Sequence, residues 1–156
     1  MLSNTVEKTQ SASFDELADR LRRLEDAEAI RTLFLTYGAH LDAKNWVPYA
    51  DLFTSDGELI APIGVAKGPE SIRTLFDGRL KDVPPGTHLI TNLVVDVTGD
   101  RAQARALWTY IAKDDAGMPT LTQNGTYESR LVRRDGHWMF DRHEITRTNG
   151  VAPYRS

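Results

Sequence analysis

Three side chains of reactive type crowd the end of one apolar stretch. In EDAEAIRTLFLTYGAHLDAKNW, residues 25–46, Tyr37, His40 and Asp42 follow a run apolar enough to be largely buried. A phenol can donate to an oxygen that gains charge, and a carboxylate can accept from an imidazole or from the backbone. A further histidine, His88, stands in GTHLITNLVVD, residues 86–96. Strand alternation puts His88, Ile90, Asn92 and Val94 on one face and Leu89, Thr91, Leu93 and Val95 on the other. Both faces are largely apolar, so His88 is expected on an enclosed surface, with a partner. Histidine as a residue type suits proton transfer near neutral pH.

Plainer readings stand beside these. Asp42 is also readable as a helix-terminal residue bonding the N–H of Lys44 or Asn45, His88 as a core histidine bonded to a carbonyl, and Tyr37 as a core aromatic. On an ideal helix Tyr37 and Asp42 point about 140° apart, so they would border one cavity only from the helix end. His40 falls outside the apolar rows and is expected to face solvent or an interface. His137 in RDGHW and His143 in the last strand have no motif behind them. Asn92 is expected to line a pocket or to satisfy a bulge. Trp108 and Tyr110, in phase with Ala102, Ala104 and Ala106, read as core or pocket wall.

The elements that must position these groups follow from periodicity. Residues 1–13 read as a flexible leader, 14–150 as one domain and 151–156 as a tail that covers a pocket mouth or an interface. Phe14, Leu17, Leu21 and Leu24 recur at helical steps behind the acidic Asp15, Glu16 and Asp19. A second helical pattern runs through Ile30, Leu33, Phe34, Tyr37 and Leu41. VPYADLF reads as a short third helix. SDG is a turn, ELIAPIGVAKG a strand whose proline argues for an edge or a bulge, and PESIRTLFDGRL a helix opened by Pro69. After KDVPPG come four long β segments separated by TGD, DDAG and RDG. Helices first and an antiparallel meander after them predict an α+β fold, its curved sheet wrapped over the helices.

Composition narrows the chemistry. The chain has 156 residues, 40% hydrophobic and 26% charged, with a formal net charge of -3 and scattered basic residues. Nucleic-acid and anionic-membrane surfaces are not expected from that pattern. There is no cysteine, which excludes disulfides, thiolate nucleophiles and Cys-type metal sites. No HExxH and no phosphate-type glycine loop occurs. MLSNTVEKTQSAS lacks the apolar core of a signal peptide, and LIAPIGVA is too short to span a bilayer. The expected location is the cytoplasm.

The order of elements and the phrases LEDAEAIRTLFLTYGAHLDAKNW, LFTSDGEL, GPESIRTLF, GTHLITNLVVDVTGDRAQARA and YESRLVRRDGHWMF resemble the nuclear-transport-factor-2-like, or SnoaL-like, cone fold over residues 17 to 147. That superfamily holds dehydratases, a dehydrochlorinase, isomerases, epoxide hydrolases, cyclases and non-catalytic binding modules. The ketosteroid isomerase type has a carboxylate where this chain reads LIAPIG, and the Asp–Arg–Asp set of the limonene epoxide hydrolase type has no convincing counterpart. Within the superfamily the chain is most similar to the group of scytalone dehydratase, bile acid 7α-dehydratase and hexachlorocyclohexane dehydrochlorinase, whose site joins an Asp at the end of this helix to a His on the first long strand. The resemblance therefore implies a dyad of Asp42 and His88, with Tyr37 placed as in the bile acid enzyme and Arg147, or its neighbour Arg142, as the arginine near the chain end.

What this implies is a cofactor-independent lyase, a dehydratase acting on a hydrophobic cyclic substrate such as a steroid, polyketide or aromatic intermediate. His88 is the implied base, Asp42 its orienting partner and Tyr37 the acid, with Asn92, Trp108 and Arg147 touching substrate and no metal. An isomerase or cyclase using the same dyad, or a binding or assembly module, are the alternatives. Members of the fold associate through the outer sheet face, so a homodimer or homotrimer is expected.

Overall fold

The computed structural model describes the backbone of residues 3–150 and the side chains of residues 13–148, so the expected tail at 151–156 lies outside the described residues. One helix, α1 (Ser3–Asp42), replaces the two expected, and it takes in most of the expected leader. The join is seamless because EDAEA, between Leu24 and Ile30, holds only helix-tolerant residues and neither glycine nor proline. Among the described side chains, those of the second half of α1 dock on the sheet. Ile30, Phe34, Tyr37 and Leu41 are buried there, whereas Phe14, Leu17, Leu21 and Leu24 are exposed. Docking begins at Asp26, a buried carboxylate that accepts from Arg133 Nη1 and, at 3.0 Å, from Trp138 Nε1.

A short α2 (Trp46–Ala50) leads into β1 (Phe53–Ala61) and β2 (Gly64–Lys67). The single strand expected over ELIAPIGVAKG is thus a hairpin, with the donor-less Pro62 at its turn. Next come α3 (Pro69–Leu80) and the meander β3 (Gly86–Thr98), β4 (Arg101–Lys113), β5 (Pro119–Arg134) and β6 (His137–Gly150). The sheet order is β2-β1-β6-β5-β4-β3, antiparallel except where β1 runs parallel to β6. This open, curved, mixed sheet wraps over the helices, the α+β cone expected. Its concave side holds a core of rings, among them Phe34, Tyr37, Tyr49, Phe53, Tyr127 and Phe140.

One register feature re-aims the edge strand β3. Its pairing with β4 slips between Thr91 and Val94, and Asn92 adopts φ 54, a left-handed conformation that asparagine tolerates better than most residues. Half-burial falls on His88 and Ile90 before the slip and on Leu93, Val95 and Val97 after it. The uniform alternation that grouped Asn92 and Val94 with His88 is therefore corrected: both are exposed. Among the described residues, no helix is long and apolar enough to cross a membrane.

Candidate active site

The site is assembled where the end of α1 meets the start of β3. The helix closes in a Schellman motif: Asn45 N–H donates to His40 C=O at 2.9 Å and Lys44 N–H to Leu41 C=O at 3.1 Å, with Lys44 left-handed at φ 54. Those two N–H groups are the ones a capping Asp42 would have taken. They are already satisfied, and the carboxylate of Asp42 turns instead to β3.

β3 ends the sheet, so the N–H groups on its outer edge have no strand to bond. Asp42 accepts the backbone N–H of His88 through both oxygens, at 3.1 and 3.0 Å, and holds the ring Nδ1 of the same residue at 2.6 Å from Oδ1. With a carboxylate on Nδ1, that nitrogen carries the proton and Nε2 the lone pair. Nε2 has no hydrogen-bond partner among the described residues. Both side chains are largely but not wholly covered, 18% exposed for His88 and 22% for Asp42.

Asp42 and His88 form part of the wall of a cavity that encloses about 790 Å³, its open mouth included. Leu41, Trp46, Ile63, Phe76, Leu80 and Val83 supply apolar wall, and Tyr37, Trp108 and Tyr127 supply aromatic surface. Tyr110 lies against the imidazole, ring centroids 4.7 Å apart, and donates its hydroxyl to Pro84 C=O at 2.7 Å. Burial and the nearby Asp42 charge push its phenol above the ordinary value. Gly86 permits this placement, since a Cβ there would stand 2.4 Å from the Tyr110 ring. On the helix side Lys44 Nζ donates to Lys81 C=O at 2.8 Å and Val83 C=O at 2.6 Å. Lys44 and Tyr110 thus pin the loop after α3, whose Val83, Pro84 and Pro85 border the cavity.

Of the residues expected to form the site, Tyr37, Asp42, His88 and Trp108 border this one cavity. Trp108 is fixed by donating Nε1 to Thr146 C=O at 3.2 Å. Asn92 is not among the lining residues; it occupies the bulge, exposed. Arg142 is engaged by Glu58 and Glu144, at 2.6 and 2.9 Å, away from the cavity. Arg147 is half-buried two residues beyond the lining Ile145, and its Nη1 is buried without a hydrogen-bond partner among the described residues. It too is outside the lining set.

Gln123, buried and lining the cavity, was not among the expected residues. It is in phase with Gly125, Tyr127, Ser129 and Leu131, all buried, so a polar residue on the inward side of β5 was the available signal. His143 was also passed over. Fully buried behind Tyr37 and Tyr127, it shares Nδ1 with Ser129 Oγ at 2.8 Å, and burial pushes its pKa down to about 3. Among the described residues, no group of three or more His, Cys, Asp or Glu is arranged to hold a metal ion.

A family model for the SnoaL-like domain matches residues 22–144. The chain belongs to the SnoaL-like domain family. No curated protein matches it, but many solved structures do. An NTF2-like protein with a cystatin-like fold from Novosphingobium aromaticivorans is 29% identical, with TM-score 0.79 over 87% of this chain and 90% of that one. A second protein of that organism, assigned provisionally as a scytalone dehydratase, is 27% identical, with TM-score 0.71 over 86% and 91%. LinA shares the fold at 23% identity and TM-score 0.75, over 85% and 94%. One of these neighbours is thus named for an enzyme, on the same helix-and-sheet frame.

Proposed function

We propose that this SnoaL-like protein is a cofactor-independent lyase, a dehydratase that removes water from a hydrophobic cyclic substrate. The observation that carries this reading is the double hold of Asp42 on His88, ring and backbone together, in the wall of an apolar cavity. His88 Nε2 takes a proton from the carbon next to a carbonyl or aromatic system. The electron pair of that C–H bond forms the double bond, and the C–O bond to the β-hydroxyl breaks. Asp42 keeps the tautomer and stabilises the imidazolium while it exists. Tyr37 donates to the departing oxygen, which leaves as water, and its phenolate recovers a proton from the imidazolium directly or through solvent. The apolar wall favours a neutral ring system, and the aromatic faces of Trp108 and Tyr127 suit stacking on it. The 27% identical structure assigned as a scytalone dehydratase supports the reaction class.

The test is a panel of cyclic β-hydroxy ketones and hydroxylated aromatics incubated with the full chain, products read by mass. Loss of water by the parent, and its absence with His88→Ala, is the expected outcome. A product of unchanged mass would replace the dehydratase by an isomerase. Turnover by His88→Ala at the parental rate would remove the dyad from the chemistry.

A further inference from the structure

The exposed part of α1 carries an apolar stripe that no other part of the described chain covers. Phe14, Leu17, Leu21 and Leu24 are 71, 61, 54 and 69% exposed. They recur at steps of three, four and three residues, the a and d positions of two heptads. On an ideal helix they lie opposite the side that Ile30, Phe34 and Tyr37 press onto the sheet. The stripe therefore cannot turn inward without lifting the docked half of α1. Single exposed leucines are ordinary on a surface, but four large apolar residues in heptad register are a seam. It stops where the next a and d positions become Glu28 and Arg31, which pair along the helix at 3.6 Å.

The flanking charges select the occupant. Arg20 holds a g position and Glu25 the following e position. In a parallel, in-register pair of identical helices, g of one faces the next e of the other, so Arg20 meets Glu25 of the second copy twice by symmetry. In the antiparallel arrangement Arg20 would face itself, like against like. The other flanking positions, Ser13, Ala18 and Ala27, carry no charge. We propose that residues 14–24 form a parallel two-stranded coiled coil with the same segment of a second copy of this chain. Two heptads are short for a free helix, but these continue a helix already anchored from Asp26 onward, so helix nucleation is not part of association.

The sequence contains no cysteine, which makes a single introduced thiol diagnostic. Full-length Leu17→Cys is expected to oxidise to a covalent dimer by itself. In sedimentation equilibrium without the thiol, Arg20→Glu should raise the dimer dissociation constant roughly fivefold, and Arg20→Glu with Glu25→Arg should restore it. All of these positions are exposed, so the urea midpoint of the domain serves as the folding control and should not move. Cross-linking only in mixtures of Leu17→Cys and Leu21→Cys chains would overturn the parallel pairing. A single-copy mass for the parent, or a dimer indifferent to Leu21→Glu, would overturn the seam itself.

Discussion

Two imidazoles occupy one curved sheet and meet opposite surroundings. His88 stands on the edge strand β3, held by a carboxylate, with its second nitrogen unbonded among the described residues and its side chain bordering the cavity. His143 stands inside the sheet on β6, fully buried among the rings of Phe34, Tyr37, Tyr127 and Phe140, with the Ser129 hydroxyl on Nδ1 its one hydrogen-bond partner among the described residues. A hydroxyl cannot neutralise an imidazolium, and ring-lined surroundings cannot solvate one, so burial pushes His143 down to about 3. A carboxylate partner supplies what the hydroxyl lacks. Partner and access to the cavity, not the residue type, separate a candidate proton acceptor from a neutral piece of core.

That contrast can be broken at four places. The largest effect is expected at His88: replacement by alanine should lower kcat/KM for an identified substrate about 10³-fold, with the unfolding midpoint nearly unchanged. Asp42→Asn keeps an oxygen for the His88 N–H but can no longer stabilise an imidazolium, so a fall in kcat of about 10²-fold is expected in steady-state assays.

The buried histidine should speak through stability. Below pH 6.5 the unfolded chain protonates His143 while the folded chain does not, so the contribution is whole above that pH and lost as pH falls toward 3. Urea denaturation at pH 7 and pH 5 should differ by about 2 kcal/mol from this group. His143→Phe should lose that component of the slope, and an unchanged slope would count against a neutral buried His143. The smallest effect belongs to the cavity rim. Tyr110→Phe removes the bond to Pro84 C=O, for which about 1 kcal/mol of stability and a few-fold rise in KM with little change in kcat are expected.

Much of this arrangement was legible in the residues, and the failures have physical causes. Local propensity placed α3 and the four meander strands, because each is long, periodic and bounded by turn residues. The proximity of Asp42 and His88 required a family resemblance, since 46 positions separate them and no local rule spans that gap. Of the two readings of Asn92 the bulge agrees with the structure, and uniform alternation gave the wrong face because a bulge adds a residue without interrupting the apolar pattern around it. The break between two helices was expected where the apolar face rotates around α1, a change of docking rather than of backbone. Gln123 was missed because inward polarity on a central strand becomes meaningful only once the partner elements are known.

The hold of Asp42 on the His88 backbone has a consequence unrelated to proton transfer. A terminal strand offers unpaired N–H groups to any other chain that can extend the sheet. Here one of those groups is taken by a carboxylate anchored on a helix, and a left-handed kink follows at Asn92, four residues on. At the opposite border the sheet ends in a strand of only four residues, Gly64–Lys67. The carboxylate proposed to orient a base therefore also occupies a backbone donor that an added strand would need.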